Sequence, residues 1–132
     1  MMTHDEAKQW IQHIMDCLID PSISAEDVGA YFSKNYKQDA NGVVLDYTRF
    51  LEHARVLKST LKSGQVSIDK IFVDGSTIVS VHYVNATKQD DSTIRMKVIA
   101  CFGIENGKIA SAEELTYLMQ GDAADHDLGS RV

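Results

Sequence analysis

His82 is the only strongly polar group at the middle of the run Thr77-Ile-Val-Ser-Val-His82-Tyr-Val-Asn-Ala-Thr87. A half-buried strand of this kind prefers apolar or β-branched side chains, and a desolvated imidazole must find a partner or give up its charge. Two readings are open. His82 lines a pocket, where it can give, take or polarise a proton near neutral pH, or it is a core histidine bonded to a neighbouring strand or helix. His53 lies at the flank of an apolar helical stripe, where exposure to water is the commoner outcome. His4, His13 and His126 sit in polar contexts and receive no role. No His, Cys or acidic residues recur at metal-ligand spacing, so neither a metal nor another cofactor is expected. Cys17 and Cys101 are isolated, which reads as reduced packing thiols rather than a disulfide.

The elements that would position these groups change period partway along the chain. Thr3-His-Asp-Glu6 is a capping box that starts a first helix. Ala7, Trp10, Ile11, Ile14, Met15 and Leu18 share its buried face until Pro21 ends it. A second short helix begins at Ser24, with Val28, Tyr31 and Phe32 inward. Asn41-Gly42 marks a turn. Asp46 is the expected cap of a third helix that buries Tyr47, Phe50, Ala54, Leu57 and Leu61, with Gly64 as its closing residue. From Gln65 the pattern alternates in twos. Turns at Asp74-Gly75, Gln89–Ser92 and Asn106-Gly107 separate strands at about 65–73, 76–88, 93–105 and 108–118.

Such long strands predict a twisted, bent antiparallel sheet. Val79, Val81 and Tyr83 occupy one face of the second of them, and Ile78, His82 and Val84 the other. Both faces are largely apolar, so the outer face is expected to be covered by a second copy of the chain, as a homodimer. With 132 residues the chain reads as one domain over 1–120, followed by a polar tail over 121–132 that is expected to fray. A net charge of −6 without a Lys/Arg cluster argues against nucleic-acid binding. No apolar stretch approaches the roughly 20 residues that cross a bilayer, and Met-Met-Thr-His-Asp-Glu lacks the basic and apolar regions of a signal peptide. No membrane partner is expected, and the cytoplasm is the expected location.

Three helices followed by a curved antiparallel sheet resembles the nuclear transport factor 2-like superfamily. Particular segments are similar to its SnoaL-like members, which are related to polyketide cyclases and ketosteroid isomerases. They are Tyr36-Lys-Gln38-Asp39-Ala-Asn-Gly42, Leu45-Asp46-Tyr47 with Phe50 and His53, and Glu114-Leu115-Thr116. Gly121-Asp122 and Asp127-Leu128-Gly129-Ser130-Arg131 complete the pattern. The resemblance implies an α+β fold, a cone-shaped curved antiparallel sheet wrapped around three N-terminal helices. It does not settle function, because the superfamily holds isomerases, cyclases, dehydratases and non-catalytic binding domains.

Ketosteroid isomerases share the cone. An ungapped alignment sets their base, in a Glu-Asp-Pro-x-Gly stretch, on Asp39. Their oxyanion-hole tyrosine falls on Met15. Their oxyanion aspartate, in a Val-Ile-Asp-His-Phe run, falls on Ala100 within Val98-Ile99-Ala100-Cys101-Phe102. A base candidate is kept and both donors are absent. Losing one such donor costs roughly 10²–10³ in rate, so steroid isomerisation by that route is not expected. The same alignment turns Met96, Val98, Ala100, Phe102, Ala112 and Glu114 inward, as a block set by register.

The catalytic candidates are therefore His82, Asp39 and Glu114. A carboxyl group in an apolar cone has its pKa raised by desolvation, and beside His82 it would favour imidazolium. Otherwise Glu114 is a solvated acid next to Glu113. By alternation Asp39 opposes Tyr36 and Gln38, so all three point inward only if the strand bulges. Met15, Tyr36, Gln38, Phe50, His53, Met96, Val98, Ala100, Phe102 and Ala112 are the ligand-binding candidates. Two functions are compatible with this set. One is proton transfer without a cofactor on a small carbonyl or polyketide-like compound, of isomerase, cyclase or dehydratase type. The other is a non-catalytic domain that binds a small, largely apolar molecule or dimerises.

Overall fold

A computed structural model describes residues 2–132. Helix α1 (His4–Ile19) starts on the Thr3–Glu6 capping box, in which Glu6 N–H donates to Thr3 Oγ1 and Thr3 N–H to Glu6 Oε1. Ala7, Ile11 and Ile14 are fully buried along its inner face. Truncating Ile11 to Ala would remove about 2–5 kcal/mol from this packing. Helix α2 (Ala25–Gly29), capped by Ser24, is only five residues long. Phe32, expected on this helix, instead opens strand β1 (Phe32–Ala40), which turns through Asn41-Gly42 into β2 (Val43–Asp46). Both turn residues have positive φ (53° and 86°), the combination that a tight two-residue hairpin requires.

Helix α3 (Tyr47–Thr60) is capped by Asp46, whose carboxylate accepts from Arg49 N–H. Gly64 does not close it. The chain passes from helix to strand at Leu61, already extended (φ −94°, ψ 134°), and Gly64 lies inside β3 (Leu61–Asp74). A Cβ there would stand 3.0 Å from Ile19 Cδ1, so glycine lets α1 sit down on the sheet. Strands β4 (Thr77–Lys88), β5 (Thr93–Glu105) and β6 (Lys108–Gln120) follow as hairpins.

The fold is α+β, with three helices against one curved, unclosed sheet of order β2-β1-β6-β5-β4-β3. It is mixed rather than wholly antiparallel, because β1 pairs with β6 in parallel. Hairpin turns reveal only pairings between sequence neighbours, so this closure of the first strand on the last left no local signal. Extra residues at Lys62 and Asp69 in β3 and at Ala110 and Met119 in β6 shift the register and bend the sheet around the helices.

Residues 122–131, expected to fray, are instead folded back against the cone. A 3-10 turn (Ala123–Asp125) leads a folded segment in which Leu128 and Asp125 are buried. Burial of one leucine and the Lys88–Asp125 ion pair, 2.7 Å, hold it down. On the outer face of the sheet, Phe72, Ile99, Leu115, Tyr117 and Met119 are exposed. Among the described residues, no helix is long and apolar enough to cross a membrane, and no group of three His, Cys, Asp or Glu is placed to hold a metal ion.

Candidate functional site

Between α1, α3 and the concave face of the sheet lies a cavity of about 80 Å³. Its walls are mostly aliphatic. Met15, Leu18 and Ile19 come from α1, Leu57 from α3, and Val66, Val84, Ile94, Met96 and Val98 from the sheet. Four residues with polar side chains interrupt them, His53, His82, Glu114 and Thr116, and Leu128 and Gly129 close one side. A water molecule needs roughly 10–15 Å³ by this kind of measure, so there is room for several waters or a ligand of a few heavy atoms.

His82 is 3% exposed, and burial drives its pKa down from 6.5 to about 4, so it is neutral at pH 7. Its Nδ1 lies 2.9 Å from Oγ of Ser80, a side chain with no exposed surface. Ser80 has no other hydrogen-bond partner among the described residues, so its hydroxyl proton is satisfied only by donating to Nδ1. That leaves the proton of the neutral ring on Nε2. This Nε2–H has no protein acceptor among the described residues, and His82 lines the cavity, where the N–H can donate to a ligand oxygen.

His53 is set the opposite way. It is buried rather than on the helix surface, because residues 122–131 fold over it. Its Nδ1 is 2.8 Å from the Arg131 carbonyl oxygen, which can only accept, so Nδ1 carries the proton and Nε2 a lone pair. Desolvation lowers its pKa, against the upward pull of that hydrogen bond. One imidazole thus offers the cavity a donor and the other an acceptor.

Glu114 faces the same cavity from β6, and no side-chain hydrogen bond reaches its carboxyl group among the described residues. Desolvation raises its pKa from 4.5 to about 7, so both its protonated and ionised forms are populated at neutral pH. It does not pair with His82. Cross-strand register aligns His82 with Val98 and Thr116, and Ser80 with Ala100 and Glu114. The two groups are therefore two strands apart, roughly 10 Å by strand spacing, and offset along the sheet. The expected imidazolium is replaced by a neutral ring, because desolvation acts on it without a compensating charge.

Asp39 is not in the cavity. It is exposed on the outer face, and its Oδ1 accepts from Gly42 N–H at 2.8 Å, stabilising the β1–β2 turn. The register shifts before Lys37 and runs regularly from Lys37 to Ala40, so Tyr36 and Gln38 take the inward positions and Asp39 the outer one. They do not line the cavity either. The Tyr36 hydroxyl donates to Gln38 Oε1 at 2.9 Å, and Tyr36 stacks edge-on against Phe32 and Phe50. Phe50, Ala100, Phe102 and Ala112 belong to this packed end of the cone, all 3% exposed or less. Large rings fill the space that ligand was expected to fill. Of the expected ligand-binding residues, Met15, His53, Met96 and Val98 border the cavity.

No protein-family model matches the chain. An uncharacterized protein of Schizosaccharomyces pombe is 28% identical over 125 residues, 95% of this chain and 96% of that one. Among solved structures, TsrD from Streptomyces laurentii superposes with a TM-score of 0.73 at 14% identity, over 99% of this chain and 100% of the other. A protein from Jannaschia sp. described as a SnoaL-like polyketide cyclase gives 0.63 at 12% identity, over 79% and 83%. A nuclear transport factor 2-like protein of unknown function from Cytophaga hutchinsonii gives 0.59 at 14%, over 89% and 91%. The chain has the nuclear transport factor 2-like fold.

Within the nuclear transport factor 2-like cone, Met15 and Ala100 point inward, as the isomerase alignment implied, and offer no hydrogen-bond donor. Beside Asp39, the inward polar residue is Gln38. Its Nε2 is the buried side-chain nitrogen left without a partner among the described residues. Sequence reasoning missed Ser80, Thr116 and Leu128. A serine two residues before an inward histidine shares its face by strand period, so Ser80 carried a signal. Leu128 carried one only as the lone large apolar residue of an Asp-rich segment.

Proposed function

We propose that the cavity takes a small, largely apolar carbonyl compound and moves a proton on it. Glu114 carries the reading. A carboxyl group held in apolar surroundings without a hydrogen-bond partner is costly for folding alone, and such groups cluster at functional sites. With its pKa near 7 it can take a proton and return it at working pH. In this reaction the Glu114 carboxylate removes a proton from the carbon next to the carbonyl, and the C–H electron pair becomes a C=C bond. Charge then builds on the carbonyl oxygen, which accepts from His82 Nε2–H. Where a C=C adjoins the deprotonated carbon, Glu114 returns the proton to the far end of the dienolate, giving an isomer. Where the ligand carries a second carbonyl, the enolate carbon adds to it and the new alkoxide takes the proton back from Glu114, giving a cyclised product. His53 Nε2 accepts a hydrogen bond from a ligand hydroxyl or enol. The likeness in fold to a protein described as a SnoaL-like polyketide cyclase supports this class of chemistry.

A second reading, binding without turnover, is favoured by the apolar Met15 and Ala100 at the isomerase donor positions. Cyclopentanone in deuterium oxide separates the two. Proton transfer predicts protein-dependent deuteration next to the carbonyl, reduced roughly 10²–10⁴-fold in Glu114→Gln. Saturable binding of cyclopentanone with deuteration at the protein-free rate would leave only the binding reading.

A further inference from the structure

The segment 122–131 forms one side of the cavity, yet it is built almost independently of the cone. Among the described residues its backbone hydrogen bonds outside the 3-10 turn are all internal. Asp125 N–H donates to Asp122 O, His126 to Ala123, Leu128 to Asp125 and Ser130 to Asp127. Arg131 ties the segment to itself again, donating to Ala124 O at 2.9 Å and to Asp127 Oδ1 at 2.6 Å. Among the described residues its polar ties to the cone are two, Lys88 Nζ to Asp125 Oδ2 at 2.7 Å and His53 Nδ1 to the Arg131 carbonyl at 2.8 Å. The remaining hold is contact, with Leu128 lowered into the cavity wall and Gly129 lying against Thr116. Lifting it would break none of the sheet's ladder bonds.

We infer that residues 122–131 are a detachable strap that lifts as a unit to admit ligand. When it closes, its Arg131 carbonyl fixes the tautomer of His53 and aims the Nε2 lone pair into the cavity. The inference rests on the proposal that this cavity is the ligand site, and it makes Arg131 a positioning residue through its backbone. A cavity of about 80 Å³ is small beside the roughly 300–1,000 Å³ of pockets for larger ligands, so anything above a few heavy atoms requires the wall to move. Leu128 and Gly129 are the parts of the wall that lie in neither a helix nor a strand. Closure then couples two events, exclusion of water and alignment of His53. With the strap lifted, Nδ1 loses its acceptor and either ring nitrogen can carry the proton.

The test is amide hydrogen exchange of the full chain, with the ring ¹⁵N shifts of its histidines read on the same samples. In the wild type, strap amides should exchange at least ~100-fold faster than those of Ile11 and Ile14, through local opening rather than global unfolding. Lys88→Ala should speed strap exchange about tenfold more with α1 unchanged, and should move His53 toward a tautomer mixture while His82 stays fixed. Leu128→Ala should do the same from the apolar side. Strap amides that exchange only as fast as α1 amides in all three proteins would overturn the inference. So would a His53 that keeps its Nδ1–H form in a variant whose strap exchanges quickly. These readouts need no substrate, so cyclopentanone that binds without deuteration would remove the proton-transfer reading and leave the strap standing.

Discussion

Ser80 and His82, two residues apart on β4, share a buried hydrogen bond of 2.9 Å between Oγ and Nδ1. The strand period puts both on the concave face, and the bond decides which ring nitrogen meets the cavity. Ser80→Ala leaves Nδ1 buried without its donor. We expect a loss of about 1–3 kcal/mol in urea denaturation and a ¹⁵N pattern showing both tautomers of His82. An unchanged His82 tautomer in that variant would show that Ser80 does not set it.

Stability against pH should show two opposed contributions. The folded chain refuses a proton at His82 until about pH 4, whereas the unfolded chain takes one near 6.5. Stability is therefore lost as pH falls from 6.5 toward 4. Glu114 works in reverse. Its folded form keeps the proton up to about pH 7 and the unfolded form releases it near 4.5, so stability is lost as pH rises from 4.5 to 7. Each shift corresponds to about 3 kcal/mol, and they nearly cancel between pH 4.5 and 6.5. Glu114→Gln should unmask the loss on acidification, which buried His53 steepens. His82→Gln should unmask the loss on alkalinisation. Denaturation series with the wild-type slope in both variants would contradict this.

Gly129 of the strap lies against Thr116 of β6. A Cβ there would lie 2.8 Å from Thr116 Cγ2 and 3.3 Å from its Oγ1. Gly129→Ala should destabilise by about 1–3 kcal/mol, since Thr116 is stiff at χ1. Thr116→Ser deletes Cγ2 and keeps the oxygen that accepts from Asn41, so it should recover most of the loss in the double variant. Additive losses would place the strain elsewhere.

The outer sheet face supplies a further prediction. We propose that it pairs with a second copy of the chain. Leu115, Tyr117 and Ile99 form its exposed apolar centre. Asp39 and Glu113 lie toward one end by register, and Lys97 and Arg95, both over the Tyr83 ring, toward the other. A two-fold axis across the strands would set each acidic end against the partner's basic end. Sedimentation should show a dimer at micromolar concentration, converted to monomer by Leu115→Lys with Tyr117→Lys. A wild-type monomer under those conditions would count against the pairing.

Much of the scaffold was legible in the sequence for local reasons. The Thr3–Glu6 box, the Asp46 cap and the Asn-Gly turns are satisfied within a few residues, so types and spacing suffice. The parallel closure of β1 on β6 and the bulge near Asp69 were not, because both are set by partners far along the chain. That same distance hid the site. Asp39 was drawn inward by an ungapped alignment, and one residue of register separates it from the inward Gln38. Whether His53 faced water or cavity depended on residues 122–131, where Leu128 was the one apolar signal and the Arg131 carbonyl, a backbone group, carried none.

We propose that Glu114 exchanges protons with a carbonyl ligand inside the cavity. The most direct measurement is the rate of protein-dependent deuteration of cyclopentanone as a function of pH. With Glu114 as the base, the rate should rise through a midpoint near 7 as Glu114 ionises and be nearly abolished in Glu114→Gln. Deuteration that persists at the wild-type rate in Glu114→Gln would contradict it.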